Sequence, residues 1–246
     1  KTTHSTGYAD TYRPIVQHLD SGGDVADYTT VSIGVVEAVR VTAEVAPQIT
    51  FRIIGVSNGT SACGESTSVT TYPALVPLGE LAISSFTNAA QALSVSTNAI
   101  HGYVVTAVEN DQLGRNGGEC TGDTASSTCI PDSSGNNSVM THAVSDKWDS
   151  TNTKGFAYSL DDTNDSNAEP AFEYDNNSTC TDTSDGGTCT TCDGNGAGTG
   201  DCFRQFADAE NSQSPVRIMG SAGDTVADND NIYVCYRSVI SATQGA

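Results

Sequence analysis

Cationic side chains are scarce in this chain. Ten Lys and Arg stand against thirty Asp and Glu, for a formal charge of −20, and Lys1, Lys147 and Lys154 are the whole lysine complement. Nucleic acid and anionic membranes are poor partners for such a chain, because both are bound by cationic groups that replace counterions. Long hydrophobic runs are missing too. Nothing approaches the roughly 18 apolar residues of a membrane-spanning helix, so no membrane span is expected. No charged segment followed by an apolar one opens the chain, which therefore reads as a processed form or part of a longer one. Heptads and strong amphipathic helical periods are absent, which removes helical architectures. Histidine is confined to positions 4, 18, 101 and 142. None lies in a G-x-S-x-G, H-E-x-x-H or similar setting, so nothing points to an enzyme. Hydrophobic residues make up only 37% of the chain, which implies a thin core and much polar loop.

What the sequence does contain is period-two alternation. Val31, Ile33, Val35, Val39, Val41, Ala43 and Val45 occupy odd positions, with Glu37 the single exception, and Ser32, Gly34, Arg40, Thr42 and Glu44 occupy most of the even ones. That is the pattern of a strand with one buried face, and Ile49, Phe51 and Ile53 resume it after Pro47. The run is long for one strand. It reads either as two strands or a bent one, or as a strand whose first part pairs with a neighbouring molecule. Further strands are expected at 68–71, 75–81, 92–96, 103–108, 155–160 and 232–240, separated by Asn-, Gly-, Pro- and Ser-rich turns. Residues 1–28 read as an arm ending in Ser21-Gly22-Gly23-Asp24. Stretches 110–154 and 161–205 read as loop insertions between strands, too poor in aliphatic residues for cores of their own.

Eight cysteines lie mostly among loop-forming residues, an arrangement that suits an oxidising compartment. Cys120 and Cys129 enclose a segment much like that between Cys180 and Cys189. Cys192 and Cys202 would make a third staple, leaving Cys63 for Cys235. Each short staple is worth up to about 3 kcal/mol in the chain-entropy model. Cys189-Thr190-Thr191-Cys192 also has C-x-x-C spacing. However, its coil-forming flanks do not suit a redox motif, and a zinc ribbon's second tight pair is missing. Acidic clusters occur at Asp161-Asp162-Thr163-Asn164-Asp165 and from Asp224 to Asp230. Calcium is the cation such oxygens suit, but the Gly and terminal Glu of a helix-loop-helix site are absent, so solvated loops are preferred and no cofactor is expected. Asn58, Asn136, Asn164, Asn176 and Asn177 each open an N-x-[ST] glycosylation sequon.

Three stretches together carry a resemblance: Val45-Ala46-Pro47-Gln48-Ile49-Thr50-Phe51, Val76-Pro77-Leu78-Gly79-Glu80-Leu81, and Ser94-Val95-Ser96-Thr97-Asn98-Ala99 running to Gly102-Tyr103. With residues 230–244, this region from about 29 to 110 resembles secreted bacterial pilin-like β-sandwich surface proteins. More distantly it is similar to TasA- and camelysin-type matrix-fibre subunits, which assemble by donating a strand to the next copy. In those proteins a stretch like Tyr236-Arg237-Ser238-Val239-Ile240-Ser241-Ala242-Thr243-Gln244 is followed by one more alternating strand. Here the sequence stops at Ala246, and an empty strand position is expected.

The reading is therefore an all-β, jelly-roll-like antiparallel β-sandwich over 37–246, with disulfide-stapled insertions and an extended N-terminal arm over 1–36. The resemblance implies an extracellular filament subunit whose partners are other copies of itself, joined head to tail. Val31, Ile33 and Val35 would be the donor-strand plug, and the acidic insertions would decorate the surface. The alternative is a monomeric or cell-anchored adhesin or glycan-binding module whose arm is a linker.

Overall fold

The computed structural model describes residues 7–36, 40–114, 120, 128–163, 169–174, 201–222 and 230–242. Among them there is no helix, and all the strand ladders are antiparallel. The chain divides into two compact units, Lys1–Ala46 and Pro47–Ala246.

The first unit is a long hairpin built from β1 (Asp10–Tyr12), β2 (Ile15–Leu19), β3 (Val25–Thr30) and β4 (Ile33–Val35). β2 pairs with β3 and β1 with β4. Asp20 forms the turn, its Oδ1 accepting from the N–H groups of Gly22 at 2.9 Å and Asp24 at 3.0 Å. Gly23 takes the left-handed conformation there, at φ 88°, that a side chain would resist. Pro14 has no N–H for the ladder and interrupts it, while its carbonyl accepts from the Val31 N–H at 3.2 Å. Every described residue of this unit is exposed except Asp10, which is partly so. The strand expected over 31–45 is realised only at Ile33–Val35, and residues 40–46 lie outside any strand.

The second unit contains β5 (Ile49–Gly55), β6 (Ser61–Ala62), β7 (Glu65–Ser66), β8 (Thr87–Thr97), β9 (Tyr103–Ala107), β10 (Leu113–Gly114), β11 (Cys129–Ile130), β12 (Asp146–Lys147), β13 (Gly155–Asp162), β14 (Glu169–Pro170), β15 (Cys202–Phe203), β16 (Val216–Ser221) and β17 (Asp230–Val239). One sheet has four strands in the order β13-β17-β8-β5, and the other has three in the order β14-β16-β9. They pack face to face over a core that joins Leu93 and Val95 of β8, Tyr158 and Leu160 of β13, and Ile218 and Met219 of β16. The chain crosses from β8 to β9 through Gly102, at φ 69°, where a Cβ would sit 1.7 Å from the carbonyl oxygen of Ser221. Only glycine permits that approach.

The four-stranded sheet is also covered on its other face. Ala90 and Cys235 pack there with Val56, Ala62 and Cys63. Further along, Ala157 and Val239 pack with Met140, Trp148 and Phe203, so the two insertions supply a hydrophobic cluster rather than surface loop alone. The insertions are tied to each other by the β12–β15 pair. With both faces covered, Gly155 to Leu160 are buried without alternation.

Three strand expectations change. Residues 68–71 run through a loop, and 75–81 form no strand, because Pro73 and Pro77 remove ladder donors and leave a single bridge between Tyr72 and Leu75. β16 carried no clear alternation because its register shifts between Arg217 and Met219, which puts Ile218 and Met219 both in the core.

Candidate functional site: an uncovered sheet edge

Among the described residues the two sheets differ by one strand, and the difference falls beside β5. Opposite residues of an antiparallel pair project to the same face. Phe51 lies opposite Val95 and Ile53 opposite Leu93. Val95 and Leu93 point into the core between the sheets. Phe51 and Ile53 therefore point the same way, yet they are 47% and 39% exposed, and Ile49 beyond them is 61% exposed. The three-stranded sheet stops short of them at β9. Among the described residues β9 has β16 on one side and no strand on the other. Its inward residues Tyr103, Val105 and Ala107 reach the core, and Val104 faces out at 63% exposure. Among the described residues Ile49, Phe51 and Ile53 thus have no strand opposite them, and they form the apolar floor of a slot beside the free backbone edge of β9.

The three residues expected to plug such a slot lie in or beside the hairpin. Ile33 and Val35 are laddered to Tyr12 and Asp10, and Val31 is bonded through its N–H to Pro14. Reading the alternation at Ile49, Phe51 and Ile53 as a buried face missed their exposure. The parity was correct, but parity alone cannot report how many strands lie opposite.

Cys63 is joined to Cys235 across 172 residues of chain, and Cys120 to Cys129 across nine. Cys202 is also disulfide-bonded, while Cys180, Cys189 and Cys192 lie outside the described residues, as do Asn164, Asn176 and Asn177. Asn58 and Asn136 are exposed, the latter donating its amide to Asp149 Oδ1 at 2.6 Å. Arg237, not singled out from sequence, is 2% exposed and holds the insertions to the sheet. Its guanidinium lies 4.7 Å from the Phe86 ring centroid and 4.4 Å from that of Phe203. Its Nη1 donates to the Trp148 carbonyl and to Asp201 Oδ1, each at 2.7 Å.

Several acidic groups are engaged structurally. Asp161 Oδ2 accepts from the Cys63 N–H at 3.0 Å. Asp230, wholly buried, accepts from the Tyr103 hydroxyl at 2.6 Å, and burial raises the pKa of both groups. Glu109 is held far above the usual carboxylate range by burial and by the neighbouring carboxylate of Asp132, to which it hydrogen-bonds, with Asp208 and Asp111 adding repulsion. Asp208 is itself held by donors, Gln112 Nε2 at 3.1 Å, Asn211 Nδ2 at 2.9 Å and the Glu210 N–H at 2.7 Å. Among the described residues no group of three or more His, Cys, Asp or Glu is arranged to hold a metal ion, and no helix is long and apolar enough to cross a membrane.

Fold and disulfides define an all-β protein of two packed antiparallel sheets, stapled in a way compatible with an oxidising environment. No protein-family model, curated protein or solved structure matches the chain.

Proposed function

We propose that this protein is the subunit of an extracellular filament in which each copy fills the uncovered edge of a neighbour with polypeptide from its own N-terminal unit. The observation that carries this reading is the slot between β9 and the exposed Ile49, Phe51 and Ile53. A free strand edge beside an apolar floor is a template for strand addition, with main-chain bonds supplying affinity and alternate side chains setting register. The N-terminal unit supplies strand-forming sequence with no buried side chain among its described residues. Donation from the N-terminal unit of one copy to the slot of the next is a heterologous contact, which propagates where the rotation does not close a ring.

The strand order supports reading the sandwich as jelly-roll-like, since β8 lies beside β17 and β9 beside β16, with β13 and β14 flanking them. Secretion fits the disulfides. The acidic surface would keep free copies soluble and make assembly stronger in added salt, which screens their repulsion.

Negative-stain microscopy and size-exclusion chromatography of the purified full chain test the reading. Fibres with a regular axial repeat are expected. A single small species at every salt concentration would overturn it in favour of a monomeric adhesin or glycan-binding module.

A further inference from the structure

We infer that the strand entering the slot is residues 40–45 of a neighbouring copy, lying along the free edge of β9 with Val41, Ala43 and Val45 turned onto Ile49, Phe51 and Ile53. The inference rests on the filament reading and assigns its donor. It replaces Val31, Ile33 and Val35 in that role with a different stretch of the same unit.

Four observations lead there. The first is availability. Residues 40–45 belong to no strand, and Val41 and Val45 are 87% and 79% exposed, far above the 47–53% of Val31, Ile33 and Val35. Those three are already engaged in the hairpin, β4 through its ladder to β1 and Val31 through Pro14. The second is length. β9 has five residues with Tyr103, Val105 and Ala107 turned inward, and Val41 to Val45 is also five residues with three apolar side chains in phase.

The third is polarity. The added strand would close the outer edge of the three-stranded sheet, with one face on the core and one in water. Arg40, Thr42 and Glu44 put polar groups on the watery face, beside Thr106 of β9. In the hairpin, by contrast, Val35 is paired directly with Asp10, so using that face would carry a carboxylate toward the apolar floor. The fourth is volume. The floor is Ile, Phe and Ile, and the donor offers Val, Ala and Val, small against large, as interdigitating layers require. Pro47, with no N–H to extend a ladder, then ends the donor segment before β5 begins.

The test uses the full chain, in which no free cysteine is found among the described residues. Two copies with different affinity tags are mixed under assembly conditions, one carrying Ala43→Cys and the other Val105→Cys, and treated with a short bis-maleimide. A crosslinked species bearing both tags is expected, and a Val35→Cys copy in place of the Ala43→Cys copy should give none. In parallel, the double variant Val41→Asp/Val45→Asp should lose fibres entirely, since it would bury two unpaired carboxylates, while Ile33→Asp/Val35→Asp should still polymerise.

Crosslinking through position 35 but not 43, or fibres that survive the 41/45 change, would overturn the donor assignment and leave the filament reading standing. A further copy carrying Ala43→Cys and Val105→Cys together that crosslinks only within itself would mean that the segment folds back into its own slot, and both would fall. Absence of fibres from the unaltered protein would remove the filament reading itself.

Discussion

β17 and the N-terminal hairpin are built from similar material and end in opposite situations. β17 reads Asp-Asn-Ile-Tyr-Val-Cys-Tyr-Arg-Ser-Val, and seven of its ten residues are buried, Arg237 included. β2 and β3 contain Ile15, Val16, Leu19, Val25 and Tyr28, and none of their residues is buried. The strand-forming tendency of the sequence is comparable in the two places. What differs is coverage, since β17 has a strand on each side and a hydrophobic cluster on each face. A side chain's contribution to stability follows the surface it removes from water, not the strand it belongs to. The sandwich should therefore carry nearly all of the folding free energy, and the hairpin should be stable only as far as its turn and partners make it.

The comparison can be sharpened first where the effect is greatest. Replacing Cys63 and Cys235 together by Ala opens a loop of 172 residues, and the chain-entropy model gives a loss of about 5 kcal/mol. The same change at Cys120 and Cys129, nine apart, should cost only about 2 to 3 kcal/mol. Denaturant unfolding followed by the fluorescence of Trp148, the single and fully buried tryptophan, reads both. Equal losses would show that chain length is not what the longer bridge controls.

Next comes Arg237→Met, which strands Asp201 and the Trp148 carbonyl. A loss of about 3 to 5 kcal/mol is expected, against less than about 0.5 kcal/mol for Arg13→Met in the hairpin. If the two changes cost the same in thermal unfolding, the contrast between the regions is wrong.

The effect at Glu109 is read in the pH dependence of stability rather than at a single pH. Its folded-state pKa lies above the usual 4.5. The folded state thus holds a proton that the unfolded state releases, and this contribution is complete below about pH 4.5 and falls as pH rises through the raised value. Glu109→Gln keeps a neutral hydrogen-bonding group there, so it should flatten the decline in stability between pH 5 and pH 9. A decline as steep as in the unaltered protein would rule out Glu109 as its source.

Smallest of all, Val16→Thr and Tyr28→Thr should change the unfolding midpoint of the sandwich by less than about 0.5 kcal/mol equivalent, because neither side chain is buried. A larger shift would mean that the hairpin contributes to the sandwich in the isolated chain.

Much of the fold was legible. The alternation at Ile49, Phe51 and Ile53, the strands around Ala92 to Ser96, Tyr103 to Ala107 and Gly155 to Leu160, and the final strand from Ile232 all lie within strands of the structure. β16 was hidden because a bulge breaks period two. The role of the insertions was hidden because Met140, Trp148 and Phe203 are far apart in sequence among polar neighbours and meet only when the β12–β15 pair draws them onto the sheet. The candidate site was half legible: its apolar floor is printed in the residue parity, and its lack of cover is not.

By itself the sequence determined that the chain would form strands, that polar turns would separate them, and that its surface would be acidic. These follow from backbone preference, side-chain alternation and charge, which are read locally. Only the tertiary structure decided which strands are covered on both faces and which on neither. It also decided that, among the described residues, no strand stands opposite the exposed Ile49, Phe51 and Ile53 of β5. Burial depends on how many strands stand opposite one another, and that number exists only once distant segments have paired.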